Sequence, residues 1–323
     1  PTAQSPFVQV AYSHGIFHIG AKLTYGYDPL RAVASWYHGF GFGVFGGLNQ
    51  WGEPIADITP EMNATACGAR SDMDGADTAG SFFATMSDCS DVETTESDKP
   101  FIYLFRNFFQ NHGAGKYRGG NGMGYGLVVH KVPWLFMGSL GYGSKFPASM
   151  GVFGGYAAAT SSIRIIRQSN LKQLQAGGSR DIPTDLLHLY REERIQGLKT
   201  MDQITTPVGP FGEGDMMFIS AGGGAGYGDV LEREPQRVVE DLKLGLATEW
   251  QAKNVYMVAY DPVTFRVDEE GTKQLRDEER ARRLSLGVPY KEFEGDWLKK
   301  RPAESILKYY GPYPNPSANG SQR

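Results

Sequence analysis

Glycine interrupts this sequence so often, and so close to large aromatic residues, that long regular helices are excluded from much of it. The chain holds 42 glycines in 323 residues, about twice the usual share of roughly 7%. They follow no collagen-like period. They fall in blocks: GFGFGVFGG over Gly39–Gly47, GAGKYRGGNGMGYG over Gly113–Gly126, and AGGGAGYG over Ala221–Gly228. Glycine weakens the interior of a helix or strand, so dense blocks of it belong where backbone must approach backbone closely. We read them as loops and tight backbone contacts inside a folded, aromatic-rich protein. Hydrophobic residues at 41% and charged residues at 21% are ordinary for a globular chain of one large or two smaller domains.

Charge and cysteine usage narrow the class. A net charge of −4 gives no electrostatic case for nucleic acid or for an anionic membrane surface. No apolar run reaches the roughly 18 residues that a membrane span needs. The two cysteines, Cys67 and Cys89, form no C-x-x-C pair. A disulfide framework is not expected, and a cytoplasmic location is. The chain opens on Pro1 and runs directly into strand-like sequence, which reads as a piece of a longer polypeptide.

Periodicity and turn residues predict the elements. Phe7–Tyr12 alternates as a strand, Pro29–Tyr37 reads as a short helix, and Gly39–Gly47 as a buried loop. Thr65–Asp91 is small and polar and reads as a long loop. Strands are expected at Phe101–Phe109, Gly126–Val132, Ser162–Arg167, Asp215–Ser220, Asn254–Tyr260 and Thr264–Val267. Pro235 suits a first helical position, and Val238, Val239, Leu242 and Leu246 share one face. Thr248 with Gln251 forms a capping box for a second helix. The charged run after Asp268 reads as a solvated helix, and Tyr309–Arg323 as an extended tail. The expected fold is α+β and β-rich, with helices concentrated in the C-terminal third. A β-rich region is expected over 1–210, and the glycine cluster, helices and tail over 211–323.

Four groups of residues are candidates for chemistry. Gly224 and Gly226 lead into Asp229 and the helix opening at Pro235, where backbone amides and a helix N-terminus favour anions. The spacing matches neither G-x-x-x-x-G-K-[ST] nor G-x-G-x-x-G. The alternative is a tight strand-to-helix connection with Glu232 and Arg233 as surface charges. Lys116 and Arg118 sit in flexible backbone that could grip an anion. Their alternative is a hairpin-like turn with two exposed cations. His14 and His18 would share a helical face as metal ligands do, yet Gly15 and the neighbouring residues argue against a helix there. His38, His112, His130 and His188 are scattered. Asp72, Asp74 and Asp77 with Arg70 only faintly suggest a calcium loop, because the twelfth-position glutamate is missing. A solvated or partner-covered loop is the simpler reading. The G-x-G-x-x-G string at Gly41, Gly43 and Gly46 lacks its strand and helix. No Ser-His-Asp order is present, and Cys67 has no basic partner in sequence. The residues themselves assign no catalytic group and no metal ligand.

The order of blocks carries more. GARSDMDGAD over Gly68–Asp77, GAGKYRGG over Gly113–Gly120, and the glycine cluster running through GYGDVLEREP to Pro235 resemble the large subunit shared by N-methylhydantoinase-B-type enzymes and ketone carboxylases. The segment Lys291–Pro314 resembles the tails of the acetone and acetophenone carboxylase branch. The resemblance implies an ATP-dependent hetero-oligomer in the cytoplasm, and a chain inactive by itself. ATP would lie on a hydantoinase-A-like partner subunit, with a small accessory subunit beside it. A divalent metal, Mn, Zn or Mg, would serve the joining of phosphorylated bicarbonate and an enol to give a β-keto acid. The family's N-D-P-x-x-G-[GT]-H-x-P-D-like metal block is absent here, so the metal would be held outside this chain, by the upstream half of the same subunit. Two alternatives stay open. One is an ATP-dependent hydantoinase, oxoprolinase or lactamase hydrolysing a cyclic amide. The other is a non-catalytic assembly module of such a complex.

Overall fold

Alternating and continuous apolar runs sort into two main antiparallel sheets, beside one two-stranded pair. In chain order the elements of this computed structural model are helix α1 over 18–27, β1 Phe40–Leu48, β2 Pro54–Ile58, β3 Gly80–Ser81, β4 Ala84–Thr85, α2 Val92–Asp98, β5 Phe101–Phe108, β6 Met123–Val129 and β7 Trp134–Tyr142. There follow β8 Ile163–Arg167, α3 Leu171–Ala176, α4 Leu186–Arg191, β9 Leu198–Asp202, β10 Gly209–Gly212, β11 Met216–Ser220, α5 Pro235–Lys243, α6 Glu249–Asn254, α7 Glu269–Ser285 and α8 Tyr290–Lys299. The structure describes residues 16, 18–36, 40–81, 84–85, 89–142, 150–179, 182–191, 195–202 and 209–301. The expected strand Phe7–Tyr12, His14 and the tail Tyr309–Arg323 lie outside them.

One sheet has the order β10-β7-β1-β2 and the other β5-β6-β11-β8-β9. Side chains alternate across each strand, so one face of β6 sends Tyr125, Leu127 and Val129 into a core shared with Phe45, Leu135, Met137 and Phe211 of the first sheet. The opposite face of the second sheet, with Val128, Met216 and Phe218, packs against Leu171 of α3 and Leu186 and Leu189 of α4. Strand β11 is thus covered on both faces, which is why its sequence is a continuous run, MMFIS, rather than an alternating one. A third core joins α5 and α6 through Val238, Val239, Ala252 and Tyr256. Thr248 caps α6 with the expected reciprocal box to Gln251.

Several expectations require correction. Gly39–Gly47 contributes no buried loop over its described part. It forms most of β1, flanked by β2 and β7. At Gly43 a Cβ would stand 2.7 Å from the Thr59 side chain, so glycine is there for a close neighbour and not for a turn. Over its described part, Pro29–Tyr37 gives only a 3-10 turn at Pro29–Arg31. Asn254–Tyr260 and Thr264–Val267 are not strands; they meet through one isolated bridge, Tyr260 to Val267. The segment around His18 is helical, because small Ala21 docks α1 against Ala69 and Ala225. Separately from these corrections, the chain divides into two compact units, Pro1–Thr272 and Lys273–Arg323. Among the described residues no helix is long and apolar enough to cross a membrane.

Candidate functional site

Two of the glycine-rich blocks, Gly113–Gly126 and Ala221–Gly228, converge on one place with the Gly68–Asp77 segment. From 224 to 227 each residue bonds a different neighbour. Gly224 N–H donates to the Gly120 carbonyl (2.9 Å), and its own carbonyl accepts from Gly113 (2.8 Å). Ala225 donates to Ser35 (3.1 Å) and accepts from Ala69 (2.9 Å). Gly226 donates to Tyr156 (2.9 Å) and accepts from Val152 (3.1 Å). Tyr227 then returns to Tyr117, exchanging both bonds. The segment is a rod with neighbours on three sides, not a strand in a ladder. Side chains are excluded by contact: a Cβ at Gly119 would lie 1.9 Å from the Gly224 carbonyl oxygen, and one at Gly113 2.3 Å from that of Tyr156.

Beside this web lies a buried clasp of charges. Arg118 donates from Nε to Asp241 (3.0 Å) and through its NH1 group to Asp77 (3.0 Å). Arg233 grips both oxygens of Asp74, at 2.7 and 2.8 Å, and also reaches Asp241 at 2.7 Å. The Arg118 backbone N–H donates to Asp74 and that of Asn121 to Asp77. Three carboxylates and two guanidinium groups thereby join the DMDGAD loop, the GAGKYRGG turn and helix α5. Burial would raise the Asp74 carboxyl, but the bonds and charge of Arg233, with Arg118, hold it below the ordinary range. Burial likewise opposes the charge on Arg118, and Asp241 and Asp77 outweigh it.

His112 extends the network inward. Its Nδ1 lies 2.9 Å from Asn121 Oδ1, and its Nε2 3.3 Å from the Tyr256 hydroxyl. Asn121 is oriented by its own amide donating to the Leu246 carbonyl, so its Oδ1 accepts. The imidazole therefore carries its proton on Nδ1 and accepts from Tyr256. Burial, then the charge of Arg118, pull His112 down to about 4. A base depressed in the fold stabilises it above the unfolded value of 6.5, and that stability is lost as pH falls from 6.5 toward 4. The loss is on the order of 3 kcal/mol. Urea unfolding at pH 7.5, 6 and 4.5 is expected to show this slope and to lose most of it in His112→Gln. Buried Glu61 runs the other way, since burial raises its carboxyl despite the Tyr103 hydrogen bond, so the variant-minus-native difference is the quantity to read. Equal slopes in both proteins would refute the assignment.

The sequence candidates fall out unequally. Arg118 is buried in the clasp, and Arg233, expected at the surface, is 1% exposed. Of the expected turn with two exposed cations only Arg118 is buried, and in the acidic loop Asp72 is exposed while Asp74 and Asp77 are bound in the clasp. Lys116 keeps an exposed ammonium group 3.5 Å from Glu232. Asp229 caps the 3-10 turn Val230–Glu232 by accepting from Leu231 N–H (2.9 Å). The amides of Gly224 and Gly226 are donated to backbone carbonyls and are not offered to an anion. His18 is half-buried on α1, with burial and then Lys22 lowering its pKa. Asp241 is not among the sequence candidates, and His112 stands there only as one of the scattered histidines. Asp241 was legible as an acid on the apolar face of α5, beside Val238 and Leu242; His112 carried no comparable mark. Burial pushes the Cys67 thiol up to about 11, which suits packing and not nucleophilic attack.

A divalent metal does not fit the described residues. Among them no three His, Cys, Asp or Glu side chains are grouped to hold an ion, and the clasp carboxylates face guanidinium groups. Nor do these glycines fit a nucleotide phosphate, since the amides of Gly224 and Gly226 are engaged.

Fold and site together define a two-sheet α+β scaffold threaded by a glycine rod and locked by buried ion pairs. The chain belongs to the hydantoinase B/oxoprolinase family, which matches residues 1–230. It is 38% identical over 275 residues to the acetophenone carboxylase delta subunit of Aromatoleum aromaticum, covering 84% of this chain and 40% of that protein. It is 32% identical over 279 residues to the acetone carboxylase alpha subunit of Xanthobacter autotrophicus, covering 82% and 35%. A caprolactamase beta subunit from Pseudomonas jessenii is 28% identical over 72% of this chain and 36% of its own length. The nucleotide-free structure of acetone carboxylase, an ATP-dependent enzyme, superimposes with a TM-score of 0.75 at 30% identity, over 89% of this chain and 38% of that one. The chain thus spans well under half the length of these relatives.

Proposed function

We propose that this chain forms part of the large subunit of an ATP-dependent ketone carboxylase that joins acetone or acetophenone to bicarbonate as a β-keto acid. The observation that carries the reading is the pair of carboxylase relatives at 38% and 32% identity over more than four fifths of the chain, against 28% for the lactamase. Within the complex, these residues act as scaffold. Their buried acids and bases hold segments together, and a glycine web of this closeness gives a rigid wall. A hydantoinase-A-like subunit supplies ATP binding, and metal-ligating residues come from the remainder of the large subunit. Assembly with a small accessory subunit completes the hetero-oligomer, whose location is the cytoplasm.

The test is turnover by the intact complex. ATP hydrolysis is expected to require both bicarbonate and a ketone. Bicarbonate-independent hydrolysis of caprolactam or a hydantoin would replace this reading by the amide-hydrolase alternative. In the same assay Lys116→Ala is expected to keep kcat within about threefold, a difference under roughly 0.7 kcal/mol. A larger loss with the complex intact would give Lys116 a substrate-facing role in place of a scaffold one.

A further inference from the structure

Among the described residues, helix α1 is held by one face only. Ala21 is buried against Ala69, Val152 and Ala225, and Tyr25 packs on Phe153 with ring centroids 4.3 Å apart. On the opposite face Ile16, Ile19, Leu23 and Tyr27 follow at spacings of three and four, which makes a single helical stripe. They are 49%, 59%, 71% and 92% exposed. Gly20 and Gly26 border the stripe, and a Cβ at either would meet nothing within 4 Å. Glycine weakens a helix interior, and among the described residues nothing packed against either position requires it. Small residues beside large apolar ones let a second helix axis come close.

We propose that this stripe seats a helix from the polypeptide carrying the remaining hydantoinase B sequence. The matched stretch covers 40%, 35% and 36% of the three relatives, so more than half of each has no counterpart here. A second copy of this chain is a poorer occupant. Four side chains on one short helix fall below the roughly 800 Å² per partner of a stable dimer, whereas they suit one strip of a larger interface. The inference rests on family membership and on the hetero-oligomeric reading above, and is independent of which substrate the complex uses.

The test places a photo-crosslinking benzoylphenylalanine at position 23 of the chain in its purified complex and sequences the crosslinked peptide. A crosslink to a segment of hydantoinase B sequence absent from these 323 residues is expected. Crosslinks to a second copy, to an ATP-binding subunit, or to nothing overturn the proposal, even where ketone turnover is intact. Gly20→Ala separates docking from folding. The chain's own unfolding midpoint is expected to hold or rise, while the yield of assembled complex falls at least about fivefold. Unchanged assembly with Gly20→Ala and with Leu23→Glu would also overturn it.

Discussion

Replacing Gly224 by alanine is expected to abolish the folded state of this chain under ordinary conditions. The added Cβ would stand 1.7 Å from the Cys67 carbonyl oxygen and 2.3 Å from its carbon. Both atoms are backbone, so no side-chain rotation relieves the clash. The Cys67 carbonyl is itself fixed by accepting from Gly120 N–H, and Gly224 donates to Gly120 and accepts from Gly113. Moving the rod outward breaks bonds on three segments together. We expect a loss beyond about 4 kcal/mol, in the exceptional tail of single substitutions and comparable to the whole stability of many domains. Gly26→Ala is the control, because its Cβ meets open space. It is expected to be neutral or to stabilise by up to about 1 kcal/mol. Soluble yield and urea unfolding read both. A folded Gly224→Ala chain with a midpoint near that of the native protein would refute the close-packed rod.

How much of this was legible in the sequence follows from where each residue's partner lies. Helix α5 announces itself locally, through Pro235 and the spacing of its valines, and the α6 cap is complete within four residues. Strand β11 shows in its unbroken apolar run. The rod does not, because its partners at 35, 69, 113, 120, 152 and 156 are remote in sequence and the bonds involve only backbone. Glycine density signalled close approach, while what approaches was set by topology. Strand β1 was hidden for the same reason, since FGFGVFGG over Phe40–Gly47 has the composition of a loop and becomes a strand because β2 and β7 line both its edges. The clasp was half visible. Its blocks carried the family resemblance, yet Asp74, Asp77 and Arg233 taken singly looked like surface charges. Only their convergence across 159 residues, from Asp74 to Arg233, turns them into a buried lock.

Arg233→Ala is the second substitution expected to have a large effect, and its reason is electrostatic. Removing the guanidinium strips Asp74 of both its side-chain hydrogen bonds and Asp241 of one, while leaving those carboxylates in place. Asp241 is 6% exposed and cannot turn to water. Asp241 is left with Arg118 alone, one guanidinium to balance two buried or half-buried carboxylates, and unbalancing a buried ion pair from one side typically costs about 3–5 kcal/mol. Lysine is expected to recover little, because one ammonium group cannot reproduce the two parallel bonds to Asp74 together with the third to Asp241. If the loss comes from stranded charge, removing the stranded partner must return part of it. The double variant Arg233→Ala with Asp241→Asn should therefore be more stable than the sum of the two single losses, by at least about 1 kcal/mol in a double-mutant cycle. Strict additivity would mean that Arg233 acts through packing on Tyr256, 5.8 Å beneath its guanidinium, and the clasp would then be a by-product of the fold and not one of its locks.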